Sequence, residues 1–565
     1  MKSRGSVSNH DATPQDSAEV SGRRNFLKQA SLLAAGVQAG AIPPLASAAN
    51  SAATLSPDPR ASRRSADVVA ETTSGKIRGS IVEGVKVFKG IPYGGTTAGK
   101  NRFMPPTRPT PWTGVRETTE FGRVAPQPFS GGRIDYVRLI NWFYPAGAQG
   151  EDCLALNVWT PALKDGGKRP VLVCFHGGGF TSGSGSNPGF HGQELARQHN
   201  AVGVSVNHRL GCLGYMNLAG VGAPPEFAKS GVAGALDMVA ALEWVRDNIE
   251  NFGGDPGNVM IFGQSGGGAK VCMLLTMPAA KGLFHRAAVQ SGSALRLTSR
   301  DTATRSAERM LAQIGLDNSR VAELQDVPVE MMMSAQAALG AQSPPFGFGP
   351  MVDGSAIPQN PFDPVAPAIS ADVPVIVSTT LDDAALGRTD FSLDEAGLQT
   401  QVKAIAGSDS DRVIAAYRRA YPATSPFLLL CRMLTDRGGR KSAVTLAERK
   451  FAQHKAPVYM YLFTWPSPGY GGKFGAVHGT DVPLVVGNIH AQGITGTGPV
   501  ARALGEKMST AWVAFAKTGN PNHPGLPQWP AYTPETRATM IFDSNCRVEN
   551  DPAGDLGRLW DDVKA

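Results

Sequence analysis

Past residue 48 the chain offers no stretch of about 18 consecutive apolar residues, the length a bilayer-crossing helix needs, which argues against stable membrane insertion. Charge is sparse as well. Asp, Glu, Lys and Arg make up 18% of the residues and the net charge is +7, a surplus too small over 565 residues to mark a nucleic-acid partner. Positions 1–48 hold five basic residues (Lys2, Arg4, Arg23, Arg24, Lys28) against Asp11, Asp16 and Glu19, which leaves only +5 for the remainder. The six cysteines, Cys153, Cys174, Cys212, Cys272, Cys431 and Cys546, follow neither a C-x-x-C nor a Cys/His ligand spacing, so a metal site has no support. No internal repeat divides the chain. What is plentiful is apolar side chain, 42% of residues, and glycine, 66 of them, the composition of a globular protein with a large core and many tight turns.

Arg23-Arg24-Asn25-Phe26-Leu27-Lys28 precedes a mildly apolar stretch, Ala30 to Leu45, that closes on the small residues Ala46-Ser47-Ala48. Ser31, Gln38 and Pro43-Pro44 make the stretch too polar to span a membrane as a helix. The segment resembles a twin-arginine export signal, residues 1–48, which implies passage through the twin-arginine machinery and a periplasmic or secreted product. Such proteins fold before export in a reducing compartment, so the fold is not expected to need disulfides. Residues 49–66 are rich in Ser, Ala and Pro and carry the cluster Arg60 to Arg64, the composition of a flexible linker. One folded domain is expected over residues 67–565.

From Val68 the pattern turns strand-rich. Val68 to Glu71, Gly75 to Val82 and Val85 to Gly90 are short, β-branched and divided by glycine turns, as in an antiparallel entry sheet. Leu154 to Trp159, Pro170 to Phe175, Ala201 to Val206, Val259 to Phe262, Ala287 to Gln290, Val373 to Ser378 and Val458 to Phe463 read as buried strands, interleaved with helical segments such as Ala233 to Phe252. This alternation predicts an α/β fold with a twisted, mostly parallel central sheet. The helix-rich stretches Thr298 to Gly340 and Leu393 to Gln453 are expected as insertions capping one end of that sheet, where open α/β sheets bind ligands.

Gly263-Gln264-Ser265-Gly266-Gly267 is a G-x-S-x-G pentapeptide between a strand and a helix-compatible stretch, Ala269 to Leu275. A serine there is held on a sharp turn with its hydroxyl exposed, beside helix N–H groups suited to a developing anion. His176-Gly177-Gly178-Gly179-Phe180 follows a strand directly, and successive glycines free backbone N–H groups to receive an oxyanion. Gly263 to Lys270 falls short of a phosphate-binding loop, since Ala269 intrudes before Lys270 and Val271 replaces the required Ser or Thr. A serine needs a base, and His478, in a glycine-flanked loop after the late strand, is the candidate among ten histidines. Asp382 and Asp383 stand between the two in the order Ser, acid, His, and spacing does not choose between them.

With these residues in hand, the chain from about Val68 to its end resembles the type-B carboxylesterases, the family that includes cholinesterases and several lipases. The resemblance rests on Phe252 to Pro256 running into Gly263 to Gly267, on Glu151 to Trp159, and on Gly90 to Tyr93, Arg102-Phe103 and Pro111 to Gly114. It implies the α/β-hydrolase fold and hydrolysis of a small-molecule carboxylic ester through an acyl-enzyme, with no cofactor. By the same resemblance Ser265 is the nucleophile, His478 the base, Gly178, Gly179 and Gly266 the oxyanion donors, and Ser291 a serine that steadies the acid. Three departures accompany it. Asp382-Asp383-Ala384 aligns with the family's Asp-Glu-Gly, which points to Asp383 as a shortened acid. Ala125 stands where the usual cysteine partner of Cys153 would be, so the loop between them is expected to lack its disulfide. Ala155 replaces a usual Tyr or Thr, a packing change. Trp142-Phe143-Tyr144 in that loop lies near where cholinesterases carry their choline-binding tryptophan, though an aromatic trio is more often plain pocket wall or core. A lipase or polyester hydrolase on the same triad is the alternative, and a non-catalytic adhesion relative the remote one, since such proteins typically lose the serine or histidine.

Overall fold

Every residue of the central strands Arg169–Phe175, Val202–Val206, Val375–Thr380 and Val458–Phe463 is buried, and their side chains alternate between two faces that helices cover. The computed structural model describes residues 68–128, 135–140, 147–342, 347–489 and 493–563. Thirteen strands join in one sheet: β1 (Val68–Thr72), β2 (Gly75–Val82), β3 (Val85–Pro92), β4 (Val115–Glu117), β5 (Ala155–Thr160), β6 (Arg169–Phe175), β7 (Val202–Val206), β8 (Gly254–Gln264), β9 (Arg286–Gln290), β10 (Val375–Thr380), β11 (Val458–Phe463), β12 (Ala538–Phe542) and β13 (Arg547–Asn550). Their spatial order is β1-β2-β3-β5-β7-β6-β8-β9-β10-β11-β12-β13, with β4 beside β2. From β7 to β12 all neighbours pair in parallel. The entry strands β1, β2, β3 and β5 up to β7, and the last strand, β13, pair antiparallel, while β4 pairs parallel with β2. The mostly parallel centre and the antiparallel entry are those the sequence predicts; β4, β12 and β13 are additions to it.

Four helices bear on the site: α1 (Ala233–Asn248), α2 (Gly266–Leu274), α3 (Pro426–Thr435) and α4 (Pro499–Thr518). Val171, Val173 and Phe175 of β6 pack with Met238 and Leu242 of α1 and Val271 of α2. Leu172 and Cys174 point the other way, onto Trp512 and Phe515 of α4. This two-residue alternation with apolar partners on both faces is why a parallel strand reads as a continuous apolar run. In α4 the buried Leu504, Met508, Ala511, Trp512 and Phe515 recur at helical spacing, Pro499 starts the helix and left-handed Gly519 ends it. The two inserted stretches are helical as expected, Arg300–Ile314 and Val329–Gly340 before β10, and four helices from Glu395 to Phe451 before β11. Leu398, Val402, Tyr417 and Met433 of the second insertion form a separate apolar cluster with Trp560. Among the described residues no helix is long and apolar enough to cross a membrane.

The order of β7, β6 and β8 matters most for the site. From β6 the chain crosses to β7 on one side and later returns as β8 on the other, so the loops leaving the carboxyl ends of β6 and β8 part there. A crevice at such a switch point is where open α/β sheets bind ligands.

Candidate active site

Ser265 leaves the end of β8 with φ 60° and ψ −125°, a region nearly closed to side-chain-bearing residues. Its N–H continues the ladder onto β9, donating to the Gln290 carbonyl at 2.8 Å, and α2 begins at the next residue. Crowding explains the glycines. A Cβ on Gly267 would lie 2.2 Å from the Phe175 carbonyl oxygen, one on Gly263 would lie 2.5 Å from the Gly267 backbone, and one on Gly292 would meet the Ser265 carbonyl oxygen at 2.0 Å. Only glycine permits strand, helix and neighbouring loop to approach this closely.

The glycine loop after β6 comes against this turn. Gly178 and Gly179 adopt φ of +85° and +62°, and a Cβ on Gly266 would fall 2.3 Å from the N of Gly179. The three expected oxyanion donors, Gly178, Gly179 and Gly266, therefore converge beside Ser265. As the first residue of α2, Gly266 has no carbonyl inside the helix to receive its N–H. Farther along the loop, Gln127 accepts from the Gly183 N–H at 2.8 Å and returns its amide to the Gly183 carbonyl at 3.1 Å.

His478 lies in the loop after β11, and its Nδ1 is 2.5 Å from Oδ1 of Asp383, just past β10. Asp383 Oδ2 accepts from the Thr380 N–H at 3.3 Å. The Nε2 of His478 is buried and has no hydrogen-bond partner among the described residues, Ser265 included. Burial lowers the His478 pKa, but the charge and hydrogen bond of Asp383 outweigh it and the net shift is upward from 6.5. Burial likewise raises Asp383, yet His478 and Ser291 overcome it and hold the carboxyl below its ordinary 3.8. Ser291, with φ 45° at the end of β9, thus bears on Asp383 while its hydroxyl meets the geometry of no hydrogen bond.

Asp382 serves another purpose. It is buried, it accepts from Nε of Arg432 on α3 at 2.8 Å and from the Ala476 N–H at 2.8 Å, and its own N–H donates to the Ala476 carbonyl at 3.0 Å. That ties the acid turn to the histidine loop and leaves the imidazole to its neighbour.

Sequence reasoning missed several residues here. Buried Asp481, three residues beyond His478, accepts from the Tyr461 hydroxyl at 2.6 Å and the Gln290 amide at 3.0 Å, and burial raises its pKa. Tyr136, on the short helix Asp135–Leu139, donates its hydroxyl to the His478 carbonyl at 2.9 Å. Lys270 of α2, wholly buried, donates to the His176 carbonyl at 2.7 Å. Of the three only Lys270 carries a sequence signal, a charge in the apolar run Ala269 to Leu275.

All six cysteines are free and buried, Cys153 among them. The loop it would have stapled closes instead through backbone bonds, Val124 N–H to the Ala148 carbonyl at 3.0 Å and Gly150 N–H to the Val124 carbonyl at 2.9 Å. Trp142-Phe143-Tyr144, the export segment 1–48 and the linker 49–66 lie outside the described residues. Among the described residues no group of three or more His, Cys, Asp or Glu side chains is placed to hold a metal ion.

The chain matches the carboxylesterase family over residues 66–555. It is 34% identical to the para-nitrobenzyl esterase of Bacillus subtilis (strain 168) over 496 residues, 86% of this chain and 96% of that protein. Among solved structures, a carboxylesterase of Geobacillus stearothermophilus at pH 6.2 superposes with a TM-score of 0.75 at 36% identity, over 87% of this chain and 99% of that one. An esterase from anaerobic Clostridium hathewayi that can hydrolyse aliphatic aromatic polyesters gives 0.76 at 34% identity, over 88% and 98%. By these matches the chain belongs to the carboxylesterase family, has the α/β-hydrolase fold and is a carboxylic ester hydrolase.

Proposed function

We propose that the chain cleaves carboxylic esters by serine catalysis through an acyl-enzyme, with Ser265 as nucleophile, His478 as base and then acid, and Asp383 as the carboxylate that orients the imidazole. The observation that carries this reading is the 2.5 Å contact of Asp383 with Nδ1 of His478, which leaves the buried Nε2 free to accept a proton. Ser265 Oγ attacks the ester carbonyl carbon and its proton passes to Nε2. The carbonyl oxygen, now anionic, is received by the N–H groups of Gly178, Gly179 and Gly266. Collapse expels the alcohol, which takes the proton from His478. Water then loses a proton to Nε2 and attacks the acyl carbon, and collapse releases the acid while Nε2 returns that proton to Ser265 Oγ. The mechanism requires the serine hydroxyl and Nε2 to stand within hydrogen-bond reach in the substrate complex. Ser265→Ala is expected to lower kcat by a factor on the order of 10⁶ and to abolish labelling by an organophosphonate, with the fold unchanged. Hydrolysis above about 1% of the parent rate would overturn the assignment.

The likeness to a polyester-hydrolysing esterase supports a second reading on the same residues, a polyester or lipase-like preference. Release of soluble acid from an aliphatic aromatic polyester film, set beside hydrolysis of soluble p-nitrophenyl esters, separates the two. Export through the twin-arginine route, with residues 1–48 as signal, 49–66 as linker and 67–565 as the hydrolase domain, is the accompanying proposal. It rests on Arg23-Arg24 ahead of an apolar stretch. Changing Arg23→Lys and Arg24→Lys together should retain the protein inside the cell, and unchanged export would refute the route.

A further inference from the structure

The mechanism above leaves the buried cation of Lys270 unused. Lys270 lies on α2, the helix that opens with Ser265 and Gly266, and its Nζ reaches the carbonyl oxygen of His176 at 2.7 Å. His176 is the residue directly before the glycine loop. The His176 ring stacks on His208 with centroids 4.8 Å apart and planes 8° from parallel. Both imidazoles turn Nδ1 to a carbonyl, of Gly177 at 2.8 Å and of Arg209 at 3.0 Å. At the far end of the loop the ring of Phe180 lies 5.8 Å from Nζ and packs edge-on against Tyr215. One ammonium thus contacts both ends of the segment His176 to Phe180. A lysine buried only to fill space would lose the hydration of its charge with little return, and a methionine would fill the same volume at lower cost.

We propose that Lys270 is a positioning residue for the oxyanion hole, holding the His176 carbonyl so that the Gly178 and Gly179 N–H groups face the oxygen of the reacting carbonyl, and lending its positive charge to the anionic intermediate. The inference rests on the reading of Ser265 as nucleophile. The helix that carries the nucleophile and one donor thereby clamps the loop that carries the other two, so the parts of the hole keep one geometry.

The groups that face Nζ are Cys174 from β6, His176 beyond it, and His208 from the segment after β7. Burial holds both imidazoles well below 6.5 and the Cys174 thiol well above 9.0, so all three are neutral around pH 7. Burial also pulls Lys270 down to about 7. Its charge is therefore present below that pH and lost above it, and kcat should carry a descending limb on the alkaline side.

Lys270→Met keeps the volume and removes both charge and donor; Lys270→Gln keeps a donor for the His176 carbonyl and removes only the charge. With a soluble p-nitrophenyl ester, the Met variant is expected to lose about 10- to 100-fold in kcat with little change in KM, since a misaimed donor costs somewhat less than an absent one. Affinity for a trifluoromethyl ketone, which forms an anionic hemiketal with a serine nucleophile, should fall by the same factor as kcat/KM. The Gln variant should recover part of kcat without recovering the alkaline limb. A Met variant within about twofold of the parent in kcat and in ketone affinity, with the limb intact, would show Lys270 to be core filler. Should the Met variant fail to fold, a Gln variant that keeps the alkaline limb overturns the role of the charge. Full activity in Ser265→Ala would instead remove the reading beneath the inference, a result distinguishable from either.

Discussion

Asp382 and Asp383 are adjacent carboxylates with opposite duties, and substituting each by Asn should separate chemistry from stability. In Asp383→Asn the imidazole loses the acceptor 2.5 Å from Nδ1, and an amide there can hold the ring in the tautomer that puts the proton on Nε2, where it blocks acceptance from serine. The expected loss in kcat is roughly 10³ to 10⁴, about 4 to 5.5 kcal/mol of transition-state stabilisation. Above the titration of His478 the melting temperature should change little, because the imidazole is then neutral and loses no ionic partner. Asp382→Asn should do the reverse. The change leaves the Arg432 guanidinium, 13% exposed, without its counter-charge, and breaking a buried pair costs about 3–5 kcal/mol. The lower end applies, since Arg432 keeps a bond to the Thr424 hydroxyl at 3.0 Å and lies 4.4 Å from the centre of the Tyr421 ring. Asp383→Glu, which keeps an acceptor for Nδ1, should stay more active than the Asn variant.

The assay is steady-state hydrolysis of a p-nitrophenyl ester at a temperature where all variants are folded, alongside thermal melting. Near-normal turnover in Asp383→Asn with a collapse in Asp382→Asn would refute the division of roles. A large drop in melting temperature for Asp383→Asn would show instead that this carboxylate holds the loops together.

Activity should rise with pH as His478 loses its proton, with the midpoint of kcat/KM above 6.5 because Asp383 outweighs burial, and the limb should move to lower pH in Asp383→Asn; a parent midpoint below 6.5 would contradict the geometry. The same pair sets a window of stability: the depressed Asp383 contributes above 3.8 and loses its contribution as pH falls through its folded value, while the raised His478 contributes below 6.5 and loses it as pH rises. Melting temperature measured across pH should therefore show the pair's contribution in full between those values. Tyr136→Phe removes the hydroxyl 2.9 Å from the His478 carbonyl and leaves a buried acceptor unpaired, a cost of about 1–3 kcal/mol. Both kcat and melting temperature should fall, and a variant unchanged in both would show that the His478 loop holds itself in place.

The central strands were legible because each contains a short, mostly apolar run that is buried. Where the reading slipped, a local cause can be named. β10 starts at Val375, two residues later than the apolar run suggests, because Pro374 has no N–H for the ladder and contributes only its carbonyl, to Ala287. β13 is Arg-Val-Glu-Asn, half exposed, with no apolar period to betray it. The first turn of α2 is Gly266-Gly267-Gly268, each costing about 1 kcal/mol against alanine in a helix, so propensity starts the helix at Ala269. Tertiary crowding overrides that preference, since a Cβ on Gly267 or Gly268 would meet the Phe175 or Gly292 backbone.

The site divides along a similar line. The residues proposed to act directly on a substrate stand at strand ends in glycine-flanked loops, and that setting is written locally around Ser265, Gly178, Gly179 and His478. Residues that hold them are placed by contacts across the chain, and local sequence is silent on those. Spacing does not choose between Asp382 and Asp383; the family resemblance points to Asp383, and in the fold Arg432, on another helix, takes Asp382. Tyr136 reaches His478 from more than three hundred positions away. Lys270 was the exception that could have been read. It stands in Ala269-Lys270-Val271-Cys272-Met273-Leu274-Leu275, directly after three glycines too crowded to face solvent. A charge in an apolar run on a helix with no wet face must find a partner or lose its proton. The carbonyl that Lys270 reaches, that of His176, belongs to the segment that follows β6, a partner only the folded structure reveals.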